Sequence, residues 1–176
     1  NAKLVKLVIN VAMPAQIITA FVSNQGIVSN QEVLSVFGIS LLMHMVYSID
    51  ENLDTAGTDG MRITFGPDFL DSLSDSELDF VMMHEILHVV LQHCLREDNR
   101  DHEEFNIACD IVVNSNILLE NNMSRNSITL KKYGESMHIA PDGKEGYEYT
   151  AEQVYDMLPK RKKKKGPSVD GGVATG

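Results

Sequence analysis

No apolar stretch in this 176-residue chain reaches the ~18 to 20 residues that a membrane span needs. The nearest approach, Leu4 to Val22, is interrupted by Lys6, Asn10, Pro14 and Gln16. No small-residue cleavage site follows a compact apolar stretch, so a secretory signal fits poorly. The first residue is Asn, which points to a piece of a longer chain. Cysteine is scarce. Cys94 and Cys109 form no C-x-x-C pattern and argue against a disulfide framework. Both sit in apolar segments and read as reduced, buried thiols of a cytoplasmic protein. No internal repeat is present.

Basic residues are also few outside one run. Lys160 to Lys165 supplies 6 of the 15. Residues 1–159 keep nine basic against 24 acidic residues, a net charge of −15. A body this acidic is repelled by a phosphate backbone, so a nucleic-acid partner is not expected. The basic run reads as a solvated linker, with a nucleic-acid or localisation patch as the alternative. Apolar residues make up 43%, enough for a real core, which excludes wholesale disorder.

The pattern predicts one domain over 1–158, with N-terminal helices in 1–34 and a core in 35–158. Residues 159–176, basic and then Gly-rich, read as a disordered tail or linker. Phe37 to Ile49 alternates like a strand, 50–60 reads as a polar loop, and Met61 to Phe65 reads as a second strand stopped by Gly66-Pro67. Two strands joined this way are expected to be antiparallel neighbours. Ser74 with Glu77 fits a capping box, opening a helix from Asp75 to about Arg96. Asp101 with Glu104 opens a second helix, His102 to Glu120, ended by Asn121-Asn122. Ala151 to Leu158 closes the fold as a short helix.

The chemistry sits in the first of these helices. His84-Glu85-Ile86-Leu87-His88 is H-E-x-x-H. Residues four apart share a helix face, so two imidazoles can converge on one zinc ion. Glu85 lies about 100° around the helix from His84, beside the metal rather than on it. There it can take a proton from metal-bound water, whose pKa zinc lowers to ≈ 7. With six His and twelve Glu, chance supplies roughly 0.01 to 0.02 such matches. Phe80 to Met83 and Val89 to Leu91 flank the motif, and polar groups in so apolar a helix need partners. The plainer alternative is a hydrogen-bonded pair of core histidines with Glu85 as acceptor.

A zinc site needs a third protein ligand. Asn106, Asp110 and Asn114 form a polar stripe on the second helix, and Asp110 is the only acid in its apolar stretch. A short loop at 97–101 makes the helices near-antiparallel, so Asp110 can face His84 and His88. Asp110 could instead orient a ligand histidine, or pair with Arg62 or Arg96. His93 is about 140° around a continuous helix from His88, which points it away from the site. It reads as a surface histidine or one that contacts a ligand. His44, in a strand, His102, at a helix start, and His138, in a loop, read as solvated or capping residues, with His138 also a candidate loop ligand. Asn106 and Asn114 read as substrate contacts or as interhelical hydrogen-bonding groups.

At the H-E-x-x-H helix the chain resembles the zincin metallopeptidases. More of it is similar to a narrower metallopeptidase-domain family that precedes a von Willebrand A-like domain in longer bacterial and phage proteins. The resemblance rests on Thr58-Asp59-Gly60, Gly66-Pro67-Asp68-Phe69, Val81 to His93, Asn106-Ile107-Ala108-Cys109-Asp110 and Ala151-Glu152-Gln153-Val154-Tyr155. It spans roughly residues 35–158. Cys109 stands where the family usually has a small residue such as Ala, which leaves the ligands undisturbed.

The resemblance implies a zincin-like α+β fold, mostly helical, with a small antiparallel sheet and an H-E-x-x-H active-site helix. It implies His84 and His88 as zinc ligands, Glu85 as base, Asp110 as third ligand and one zinc per chain. It also implies a peptide or protein substrate and a downstream von Willebrand A-like domain or AAA ATPase partner. The expected reaction is peptide-bond hydrolysis. Substrate would add as a strand at a sheet edge, for which Met61 to Phe65 is the candidate, and Tyr133, Tyr147, Tyr149 or His138 would stabilise the oxyanion. Two rival classes stand beside it. One is a zinc-stabilised regulatory or peptide-binding module without turnover. The other is a nucleic-acid-associated protease recruited by the basic run.

Overall fold

The structure is a computed structural model that describes residues 44–124, 126 and 137–160. The predicted N-terminal helices, the start of the first predicted strand, Tyr133 and most of the basic tail lie outside the described residues.

The described chain is α+β, about half helical, with one three-stranded sheet. The strands are β1 (Val46–Ile49), β2 (Ala56–Thr58) and β3 (Arg62–Phe65). The helices are α1 (Pro67–Ser72), α2 (Asp75–Val90), α3 (His102–Glu120) and α4 (Ala151–Met157), with single 3-10 turns at His93–Leu95 and Gly146–Glu148. No helix among the described residues is long and apolar enough to cross a membrane.

The sheet corrects two expectations. It is mixed rather than antiparallel, because β1 and β3 run parallel while β2 and β3 run antiparallel. The segment 50–60 is not a plain loop. It holds β2 between two chain reversals, and two reversals restore the original direction. The second reversal uses Gly60 at φ +92°, while Asp59 Oδ1 accepts from the Met61 and Arg62 amides at 2.9 and 2.7 Å. The strand order β1-β3-β2 makes β3 central, so it cannot be the substrate-holding edge. Alternation along β3 follows the pleat. Ile63 and Phe65 are fully buried, and Arg62 and Thr64 point the other way. His44 is helical and exposed, and the first strand begins only at Val46.

The helix starts follow their caps. Ser74 Oγ accepts from the Glu77 amide while Glu77 Oε2 accepts from the Ser74 amide at 2.8 Å, a complete capping box. Asp101 caps α3 through the Glu104 amide, and α3 runs over the expected residues. Thr150 and Gln153 form a further box on α4 that is present in the sequence as T-x-x-Q. The end of α2 departs from expectation. The helix stops at Val90, six residues short of Arg96, because Gln92 turns left-handed at φ +56°. No Gly or Pro marks that stop. One consequence is that Cys94 is exposed, while Cys109 is buried as expected and both are free thiols.

Two apolar clusters meet on α3. Ile63, Phe65 and Leu70 pack with Ile86 and Leu87 of α2 and with Val113 and Ile117 of α3. Phe105, Ala108, Cys109 and Val112, on another face of α3, pack against Ala151 and Val154 of α4. Each fully buried Leu, Ile, Val or Phe contributes about 1.5–3 kcal/mol. α3 is therefore held on two sides, which fixes the position of Asp110 relative to α2.

Candidate metal centre

α2 carries His84 and His88 on one face, one turn apart, and α3 sets Asp110 opposite them. The His84 and His88 Nε2 atoms are 3.0 Å apart. Asp110 Oδ1 lies 3.1 Å from His84 Nε2 and 3.2 Å from His88 Nε2. Among the described residues this is the one group of His, Cys, Asp and Glu placed to hold a metal ion. Both histidines are buried and Asp110 is nearly so. Asp110 pairs with neither Arg62 nor Arg96. Arg96 is instead bound by Glu152, with Nε 2.8 Å from Oε1.

The hydrogen-bond network assigns the His84 tautomer. Asn114 Nδ2 donates to the Met137 carbonyl at 3.0 Å, so its Oδ1 faces His84 Nδ1, also at 3.0 Å. An amide oxygen only accepts, so Nδ1 carries the hydrogen. A neutral His84 then aims an Nε2 lone pair at the Asp110 carboxylate, and two acceptors at 3.1 Å repel. The contact needs a positive charge, either a proton on His84 or a metal ion. Two imidazole nitrogens and a carboxylate oxygen are a donor set that suits zinc, and Asn114 is the kind of outer partner that fixes a ligand imidazole. Burial opposes the charge on Asp110, but the two ring nitrogens beside it outweigh burial. With a proton on the facing nitrogens, the rings hold the carboxyl well below the usual carboxylate range by hydrogen bonding and charge.

Glu85 is buried beside His84 in the same cleft, and its carboxylate makes no hydrogen bond or ion pair among the described residues. The cleft, of about 320 Å³, is lined by the acids Glu85, Glu97 and Asp110 and, among the described residues, by no Lys or Arg. Exposed Cys94, His102 and Asn106 share it, so the cleft that holds the three candidate donor atoms opens to solvent. β2 forms one wall through Thr55 to Thr58.

The remaining histidines sort differently from expectation. His93 does not point away. Because α2 ends at Val90, the chain doubles back and sets His93 Nδ1 3.1 Å from His88 Nδ1. Burial, with the neighbouring His88, pushes His93 down to about 3. His102 is exposed at the cleft mouth and bonded to Glu97 at 2.8 Å, which raises its pKa. His138 is buried rather than solvated. It pairs with Glu145 at 2.9 Å, and that carboxylate also accepts from Ser115 Oγ at 2.8 Å. None of the described oxyanion candidates, Tyr147, Tyr149 and His138, lines the cleft, and the Tyr149 hydroxyl is bound to Asp142 at 2.6 Å. The sequence reading missed the β2 wall, the Glu97–His102 pair and the approach of His93. Only the first left a signal, the Asp59-Gly60 turn that follows Ala56-Gly57-Thr58.

A family model described as "Putative metallopeptidase domain" matches residues 25–175. The chain belongs to that family. No curated protein and no solved structure matches it. Family membership suggests a metal-dependent peptidase, and the His84, His88 and Asp110 group is where such a metal could sit.

Proposed function

We propose that this domain is a zinc-dependent peptidase of zincin-like design, with His84, His88 and Asp110 as metal ligands and Glu85 as general base. The observation that carries the reading is the convergence of three potential ligand atoms beside a carboxylate that has no partner among the described residues, in a solvent-reached cleft. When bound, zinc supplies Lewis-acid polarisation of a carbonyl and makes water more acidic. Three protein ligands leave room for substrate or water, as catalytic rather than structural sites require.

The chain's own residues do the rest. Glu85 takes a proton from water and returns it to the leaving amine, a transfer its position beside the ligand histidines permits. Asp110 keeps its charge and so offsets that of the metal. Asn114 holds the His84 ring in the tautomer that leaves Nε2 free to ligate. The strand that would receive substrate is β2 rather than β3. Among the described residues β2 is one of the two outer strands and the one that walls the cleft, and a Cβ at Gly57 would meet nothing within 4 Å. An extended peptide could pair there and bring one of its carbonyls to the ligand atoms. By the family resemblance, the domain would work beside a von Willebrand A-like domain or an AAA ATPase.

The test is incubation of zinc-loaded wild type and Glu85→Gln with a diverse peptide mixture, read by mass spectrometry. The reading expects new termini with wild type alone. Zinc bound by both proteins with cleavage by neither would favour a zinc-stabilised binding module.

A further inference from the structure

His88 uses both ring nitrogens. Nε2 faces His84 and Asp110, and Nδ1 lies 3.1 Å from His93 Nδ1. We propose that His93 is a positioning residue that accepts a hydrogen bond from His88 Nδ1–H and so holds His88 in its metal-ligating tautomer. The inference rests on the metal reading above.

One hydrogen lies between the two Nδ1 atoms, and its location decides what His88 can do. On His88 Nδ1, it leaves a lone pair on His88 Nε2, directed at the ligand group. On His93 Nδ1, it forces His88 to carry its hydrogen on Nε2, facing Asp110, and that nitrogen cannot ligate. His93 therefore has to present a bare Nδ1, with its own hydrogen on Nε2. That Nε2 is buried and has no hydrogen-bond partner among the described residues. A buried imidazole with one end unsatisfied costs free energy. The cost has a purpose if the other end serves His88.

The backbone is built to deliver this ring. Gln92 adopts a left-handed conformation that a non-glycine residue rarely takes, and it folds His93 back under α2. Arg96 anchors the turn, donating to the Leu91 carbonyl at 2.9 Å and holding Glu152 of α4. The arrangement parallels that of the other ligand. His84 Nδ1 meets Asn114 and His88 Nδ1 meets His93, so each imidazole has one buried acceptor behind it. Ligand histidines held this way typically lose 10–100-fold in metal affinity when the outer partner is removed.

The experiment uses the full chain and zinc alone. Long-range proton–nitrogen spectra of the zinc-loaded wild type should show His88 protonated on Nδ1 and metallated on Nε2. His93 should be protonated on Nε2 and free of metal. Zinc affinity, measured by competition with a chromophoric chelator, should fall about 10–100-fold in His93→Leu. His93→Asn, which restores an acceptor near the Nδ1 position, should recover most of it. A wild-type spectrum with His88 protonated on Nε2, or with His93 itself metallated, overturns the proposal without needing any variant to fold. Unchanged affinity in a folded His93→Leu protein overturns it as well. Failure of wild type to bind zinc at all would instead remove the metal reading, and this proposal with it.

Discussion

Asn114 Oδ1 sits 3.0 Å from His84 Nδ1, bridging helices α3 and α2 across thirty positions of sequence. The amide is oriented by the Met137 carbonyl on its other side, so it can serve His84 only as an acceptor. Asn114→Leu, similar in volume, removes that acceptor and leaves a buried N–H unsatisfied. Zinc affinity should fall about 10–100-fold, and Asn114→Asp, which keeps the oxygen, should lose less. Equal affinities for the Leu variant and wild type in a chelator competition would show that the amide does not set the ligand.

Glu85 separates catalysis from scaffolding. Glu85→Gln should keep the fold and the metal, because the ligand atoms belong to other residues. Peptidase turnover should fall by about 10² to 10⁴, the usual worth of general-base help. Loss of zinc in this variant, read by elemental analysis, would mean that Glu85 is itself a ligand.

His93 predicts how the metal-free protein responds to acid. Its folded pKa is about 3 against an ordinary value of 6.5. The unfolded chain takes up a proton below 6.5, whereas the folded chain resists until about 3. Protons are then bound preferentially by the unfolded state, so this group lowers stability as pH falls through that window. The slope is at most ~1.4 kcal/mol per pH unit. Urea unfolding in excess chelator should show wild type losing roughly 1.6 kcal/mol more than His93→Asn between about pH 6.5 and pH 5. Identical losses would show that His93 is not held neutral.

The sequence made the two helices that carry the candidate site legible and left the sheet obscure, for physical reasons. α3 was readable to the residue because Asp101 caps it and Asn121 ends it. The meeting of Asp110 with His84 and His88 followed from one polar stripe and one short connection. The end of α2 was not readable, since Gln92 carries no intrinsic preference for the left-handed turn it makes. The nonlocal ties that fix that segment include the Arg96–Glu152 pair, 56 positions apart. That single stop moved His93 from a surface position to the back of His88. The strand order was hidden for a related reason. β2 has three residues, one of them Gly57, too few for any alternation to register. Pairing with β3 is what makes it a strand.

The central claim is that His84, His88 and Asp110 together hold one metal ion. Anomalous diffraction at the zinc edge, on crystals of the zinc-loaded chain, tests it most directly. The account predicts one ion per chain, bonded to His84 Nε2, His88 Nε2 and an Asp110 oxygen at about 2.0–2.2 Å. An ion bonded to His84 and His88 together with His93 or His138, with Asp110 remote from it, would contradict the account.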